Sequence, residues 1–95
     1  MDSYRSRPDV VSTKIDEKTS VLLHLEAQQY YSLNETGTRI WDLLTRGHDA
    51  QAIAVAMTED WDVSRGKALR SVRAFLQTLR EANLVETTSD GIAGS

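Results

Sequence analysis

The side chains that could do chemistry are scattered along this chain, and none of them forms a recognisable catalytic set. His24 and His48 fall in different predicted elements, and neither has another histidine or a cysteine at metal-ligand spacing. The chain has no cysteine, which excludes disulfides, thiolate metal sites and thiol nucleophiles. Phosphate-binding glycine loops and the G-x-S-x-G nucleophile motif are also missing. The sequence therefore predicts a protein that is not an enzyme.

The acidic residues around Trp61 come closest to a metal site. Glu59, Asp60 and Asp62 flank this tryptophan, but they lack the spaced ligands and the glycine of an EF-hand loop. This pattern argues strongly against a bound cation. We therefore expect no metal ion and no other cofactor.

Length and charge narrow the class of protein. The 95 residues suffice for one domain, and a hydrophobic content of 40% allows a modest core. The formal net charge of -3 argues against a nucleic-acid binder, which usually carries a basic surface. The sequence shows neither a signal peptide nor an apolar run long enough to span a bilayer. We therefore expect a cytoplasmic protein.

The first third of the chain has the pattern of a small sheet. Apolar and β-branched residues predict strands at 10–15, 20–26 and 29–33. The connections at 16–19 and 27–28 are short and polar, so consecutive strands must run antiparallel as a meander.

Three helices are predicted in the remainder, each after a residue type that favours the N-cap position. The third is the longest and has apolar residues at i, i+3, i+4 and i+7 spacing, which predicts one buried face. The helices are 35–46 after Asn34, 50–60 after Asp49, and 65–82 after Ser64. The apolar stripe consists of Ala68, Leu69, Val72, Phe75, Leu76 and Leu79.

The order β-β-β-α-α-α predicts an α+β fold, with three helices against a three-stranded antiparallel sheet. The second and third helices, joined by a tight link, are typical of a helix-turn-helix. We expect residues 1–9 to form a flexible arm, residues 10–86 to form the domain, and residues 87–95 to form a disordered tail. Residues 84–85 are expected to pair briefly with a strand.

The third predicted strand, with the sequence QYYSL, is the first candidate for a binding site. It carries neither charge nor proline, which proteins commonly use to protect a sheet edge. If it lies at the edge, a peptide could add to it as a further strand. In the alternative arrangement another element covers the edge, and Tyr30 and Tyr31 belong to the core.

The third helix is the second candidate because it is basic within an acidic chain. A helix of this kind could enter the DNA major groove or could form one wall of a peptide groove that binds acidic residues. A solvated surface explains the same charges without any function. The basic residues are Arg65, Lys67, Arg70, Arg73 and Arg80, and Glu81 is the acidic one.

The segment 21–44 resembles the PqqD family. The resemblance lies in the strand end Tyr31-Ser32-Leu33-Asn34, the helix start Glu35-Thr36-Gly37-Thr38 and the helix interior Ile40-Trp41-x-Leu43-Leu44. It continues through Ala52-Ile53, the run Glu59-Asp60-Trp61-Asp62-Val63, Phe75-Leu76-x-x-Leu79 and Leu84-Val85, so that it covers about residues 10–86.

This resemblance implies a winged-helix-like, non-catalytic recognition element for ribosomally made, post-translationally modified peptides (RiPPs). Such domains bind the leader segment of a precursor peptide, which adds as a strand to the third strand in a groove beside the third helix. On this chain the implied peptide-binding residues are Gln28, Gln29, Tyr30, Tyr31, Ser32, Leu33, Leu69, Val72, Arg73, Leu76 and Arg80.

A stand-alone chain of this length resembles the leader-binding proteins of lasso-peptide pathways. The implied partners are the precursor leader, a leader-cleaving cysteine protease and an ATP-dependent cyclase, with no nucleic acid and no membrane. The main alternative is a winged-helix transcriptional regulator that binds DNA through the third helix. The acidic turn Asp16-Glu17-Lys18 lies where such a regulator needs a basic wing. An inert structural subunit also stays open.

Overall fold

The computed structural model describes residues 3–88, and it contains a three-stranded antiparallel sheet followed by three helices. A separate two-stranded sheet joins the two ends of this region. The predicted α+β class and the order of strands and helices are confirmed. The elements are β1 Ser3–Ser6, β2 Val10–Asp16, β3 Thr19–His24, β4 Gln29–Leu33, α1 Glu35–Thr45, α2 Ala50–Asp60, α3 Arg65–Glu81 and β5 Val85–Thr88.

The pairing of β1 with β5 differs from the prediction. Residues 3–6 were expected in a flexible arm, but they form a strand antiparallel to β5, with Tyr4 opposite Thr87. Thr87 and Thr88 were expected in a disordered tail, yet they belong to β5. The polar sequence of β1 shows no strand alternation, and its partner supplies the hydrogen bonds that define it. The rest of the predicted tail, residues 89–95, lies outside the described residues.

The order of strands in the main sheet is β2-β3-β4, which leaves β4 at one edge. The central strand β3 buries Ser20, Leu22 and His24 and leaves the residues between them half-buried. The inner face of the sheet therefore packs against the helices, as the two-residue period predicts.

Each helix begins at the predicted cap residue. In every case the side-chain oxygen of the cap accepts a hydrogen bond from a backbone N–H in the first turn. The pairs are Asn34 with Gly37 at 2.9 Å, Asp49 with Ala52 at 2.9 Å, and Ser64 with Lys67 at 3.3 Å.

The core lies between the inner face of the sheet and the three helices. Leu22 of the sheet, Ile40 and Leu44 of α1, Ile53 of α2 and Leu76 of α3 are all at most 1% exposed. No helix among residues 3–88 is long and apolar enough to cross a membrane.

Candidate functional site

The edge strand β4 presents most of its residues to solvent. Tyr30 is 74% exposed, Tyr31 is half-buried and Leu33 is buried. Among the described residues, only β3 pairs with β4, so its other edge is open. The alternative in which another element covers this edge and both tyrosines are core residues is therefore wrong for this structure.

The hydrogen bonds of β3 determine which backbone groups of β4 point outward. Leu25, just beyond β3, donates its N–H to the carbonyl of Asp9, at 2.8 Å, on the β2 side. The N–H and C=O groups of successive residues point to alternate sides of a strand. Those of His24 and of every second residue before it therefore point towards β4. His24 lies opposite Gln29, so these two residues form a hydrogen-bonded pair.

The same alternation determines the direction of the backbone N–H and C=O groups in the rest of β4. Tyr31 and Leu33 turn their N–H and C=O groups towards β3, as Gln29 does. Tyr30 and Ser32 turn theirs towards the open edge. An incoming strand would thus meet two N–H donors and two carbonyl acceptors, all from these two residues.

Gln28 was predicted to contribute backbone hydrogen bonds to a bound peptide, but it lies in the turn before β4. Its φ angle is 57°, in the left-handed region, and its N–H donates to the carbonyl of His24 at 2.7 Å. This N–H group is therefore already used. The prediction for Gln28 therefore narrows to its carbonyl group, because the hairpin needs its N–H to close the turn.

A cavity of about 370 Å³ lies at the C-terminal end of β4, between that strand, the first turn of α1 and the side of α3. Leu33, Ile40 and Phe75 give it an apolar lining. Its other lining residues are Ser32, Asn34, Thr36, Gly37 and Ser71. An apolar side chain of a bound peptide would fit this chemistry.

A second cavity, of about 480 Å³, lies at the N-terminal end of β4, beside the last turn of α3. It is more polar than the first. Its lining residues are Arg7, His24, Glu26, Ala27, Gln29, Tyr31, Glu81, Ala82 and Asn83. The two cavities thus lie at opposite ends of the same strand and border the same helix, and we call the two cavities and the open edge of β4 together the groove.

His24, at the inner end of the second cavity, is a buried and partnered residue. Only 5% of it is exposed, and its Nδ1 accepts the backbone N–H of Ala27 at 3.2 Å. Its Nε2 lies 3.9 Å from Oδ2 of Asp9, whose other oxygen, Oδ1, accepts a hydrogen bond from Nε of Arg7 at 3.4 Å. The contact with Ala27 fixes the turn between β3 and β4, so His24 supports the shape of the site.

The residues of α3 that border the groove are Ser71, Phe75 and Glu81, and the C-cap residue Ala82 follows them. Ser71, Phe75 and Ala82 share one side because they are spaced by four and seven residues. The sequence analysis did not assign any of them to the site. The sequence carried one signal, since the chain's single phenylalanine falls at the margin of the apolar stripe.

The residues predicted to form the helix wall line neither cavity beside β4. Val72 and Leu76 are 0% exposed and belong to the core, so they have no surface to offer a peptide. Leu69 lies on the α2 side, where it lines a small cleft with Arg65. Arg73 and Arg80 follow Leu69 at i+4 and i+11, on that same side of α3 and away from β4.

A third cavity, of about 380 Å³, lies on the far side of α1 and is lined by charged residues. Lys14 pairs with Asp42 at 2.9 Å, and Arg39 pairs with Asp60 at 2.7 Å. These charges neutralise one another at the surface. Within residues 3–88 no group of three or more potential ligands could hold a metal ion.

The chain is similar to solved structures and matches a known protein family. The structure of TbiB1 in complex with the TbiA(beta) leader peptide has a TM-score of 0.84 and 36% identity, over 90% of this chain and 99% of that one. "Lasso peptide synthetase B1 complexed with the leader peptide" has a TM-score of 0.81 and 28% identity, over 88% and 98%. No curated protein sequence gives a significant match. Residues 19–85 match the family of coenzyme PQQ synthesis protein D, so the chain belongs to the PqqD family.

Proposed function

We propose that this protein binds the leader segment of a ribosomal precursor peptide, which adds to β4 as a fourth strand of the sheet. The observation that carries the proposal is the open edge of β4, where Tyr30 and Ser32 direct their backbone groups outward between two cavities. Main-chain hydrogen bonds would give affinity, and side-chain pockets would give specificity. The two similar structures, both complexes with leader peptides, support this function.

The spacing of the cavities predicts the pattern of the leader. Gln29 borders the polar cavity and Leu33 borders the apolar one, and the strand between them spans about 14 Å at roughly 3.4 Å per residue. Two inward-facing leader side chains about four positions apart would then enter the two cavities. The leader side chain that enters the cavity near Phe75 should be apolar.

The leader side chain at the other end should carry hydrogen-bond donors. Arg7 is already engaged by Asp9. Glu26 and Glu81 border this cavity and form no ion pair within residues 3–88. A donor or cationic group on the leader would be attracted to these carboxylates.

The role of the protein is then to present a substrate and not to transform it. The partners would be a leader-cleaving cysteine protease and an ATP-dependent cyclase in the cytoplasm, as in lasso-peptide biosynthesis. The lasso-peptide context of a similar structure supports this choice of pathway. Such a protein contributes affinity and orientation, which require a groove but no nucleophile or general base.

The alternative of a DNA-binding regulator is not favoured. Both similar structures are complexes with leader peptides, and the turn between β2 and β3 is acidic where a wing would contact phosphates. A phosphate-dominated complex is strongest at low salt. We therefore expect no binding to duplex DNA even at low ionic strength.

The test is calorimetric titration of the folded protein with the leader of the precursor encoded beside it, and with a scrambled leader as control. We expect saturable one-to-one binding of the natural leader with a dissociation constant in the micromolar range or below. Failure of the natural leader to bind at tens of micromolar, with the fold verified by circular dichroism, would overturn the proposal.

A further inference from the structure

The side of α3 that faces away from the groove carries an uncompensated basic surface. We call it the basic face, and it consists of Arg65, Arg70, Arg73 and Arg80, all of them exposed. Among residues 3–88 none of these four arginines forms an ion pair. The face extends about 22 Å along the helix, at 1.5 Å per residue.

Most of these charges are not arranged to stabilise the helix, and Arg80, in the last turn, is the exception. The first turn of α3 contains no acidic residue, although the positive end of the helix dipole favours acids there. It contains Arg65 and Lys67 instead. Arg70 and Arg73 lie three residues apart, a spacing at which like charges repel. An arrangement that disfavours its own helix needs another explanation, and a binding partner supplies one.

A small cleft beside the basic face could receive a side chain of a binding partner. It lies between α2 and α3, has a volume of about 140 Å³, and is lined by Gln51, Ala54, Arg65 and Leu69. Val55, one turn along α2 from Gln51, is 38% exposed. Partly apolar surface bordered by arginines is typical of protein interfaces, in which arginine is enriched and most other charged residues are depleted.

Charge also indicates what kind of partner fits. The α3 helix contributes five cations and one acid, a net charge of +4, so the rest of the chain carries -7 to give the total of -3. An extended polyanion such as duplex DNA would run from α3 into this acidic remainder and be repelled. A local acidic patch on a folded protein would match the length of one helix.

We propose that the basic face binds an acidic surface of a leader-processing enzyme while the leader occupies the groove on the other side of α3. This inference rests on the proposed function, because it assumes that a leader is presented to an enzyme. Arg73 is two residues from Ser71, which turns their side chains about 200° apart around the helix. Enzyme and leader would therefore bind simultaneously without competing for surface.

The test compares two double variants with the same change in charge. Arg73→Glu/Arg80→Glu reverses the basic face, and Lys18→Glu/Arg46→Glu reverses two exposed cations outside α3. Binding of each variant and of the wild type to the purified leader protease, and separately to the purified cyclase, is measured by biolayer interferometry. Leader affinity is measured for each by calorimetry.

We expect Arg73→Glu/Arg80→Glu to bind one of the enzymes at least about tenfold more weakly than wild type and to retain its leader affinity. The Lys18→Glu/Arg46→Glu variant should match the wild type in both measurements. Unchanged enzyme binding, or a wild type that binds neither enzyme, would overturn the inference. A loss of leader affinity in Arg73→Glu/Arg80→Glu would also overturn it. A wild type that fails to bind the leader would instead contradict the proposed function.

Discussion

Phe75 of α3 packs against Gly37 of α1 so closely that a β-carbon at Gly37 would lie 3.1 Å from Cζ of Phe75. The same β-carbon would lie 3.3 Å from Oδ1 of Asn34, the cap of α1. This contact joins the end of β4, the start of α1 and the wall of α3 at the apolar cavity. Because Gly37 has no side chain, the ring of Phe75 can lie in this position beside the groove.

Gly37→Ala should narrow the apolar cavity and weaken leader binding several-fold. Stability should change by no more than about 1 kcal/mol, because the higher helix propensity of alanine offsets the displacement of the ring. Gly66→Ala is the matched control, since a β-carbon at Gly66 has no atom within 4 Å. Calorimetry with the leader and urea unfolding of both variants check this. Equal leader affinities for the two variants would contradict it.

Phe75→Ala should abolish measurable leader binding, whereas Leu69→Ala should leave it unchanged. Both side chains are half-buried against the core, so each truncation should cost about 1–3 kcal/mol of unfolding free energy. Only Phe75 borders the groove. Comparing the two variants tests which side of α3 borders the leader, the side with Phe75 that the structure indicates or the side with Leu69 that the sequence predicted. If Leu69→Ala weakened binding as much as Phe75→Ala, the assigned side of α3 would be wrong.

Tyr30→Pro should weaken leader binding at least about tenfold while the domain stays folded, because proline removes a donor that faces the open edge. Tyr30→Ala is the control. It keeps the N–H and removes a side chain that is 74% exposed, so its affinity should stay near that of the wild type. Leader titrations with a circular dichroism spectrum of each variant provide the measurement. Similar affinities for the two variants would exclude backbone pairing at Tyr30.

Asn34→Ala should weaken leader binding, whereas Asp49→Ala should not. Each substitution removes an N-cap hydrogen bond of 2.9 Å and should cost about 1 kcal/mol of stability. Asn34 also lines the apolar cavity, so fraying of the first turn of α1 would disturb it. Thermal unfolding establishes that the stability losses are comparable, and calorimetry compares the affinities. Equal effects on leader affinity would show that the start of α1 does not shape the site.

Local patterns predicted much of the fold because local interactions fix it. The caps Asn34, Asp49 and Ser64 were predicted correctly, since a cap bonds to a backbone N–H three residues away. The strand at residues 29–33 was predicted with its correct bounds. By contrast β1 was missed, because the strand that pairs with it, β5, lies more than 75 residues further along the chain.

The side of α3 that borders the groove could not be read from the sequence. Leu69 and Phe75 lie on opposite flanks of a buried stripe centred on Val72 and Leu76. The periodicity of apolar residues does not distinguish the flank that borders the groove from the other one. The choice between them depends on how α3 crosses the sheet, which is a property of the packed structure. The charges favoured the flank with Arg73 and Arg80, and that flank faces away from β4.

Amide hydrogen exchange of the leader-bound protein tests the central claim most directly. In the free protein the N–H groups of Tyr31 and Leu33 should exchange slowly because they pair with β3, and those of Tyr30 and Ser32 should exchange fast. Saturation with the leader should slow exchange at Tyr30 and Ser32. Exchange at these two residues that stays fast while the leader is bound would contradict strand addition to β4.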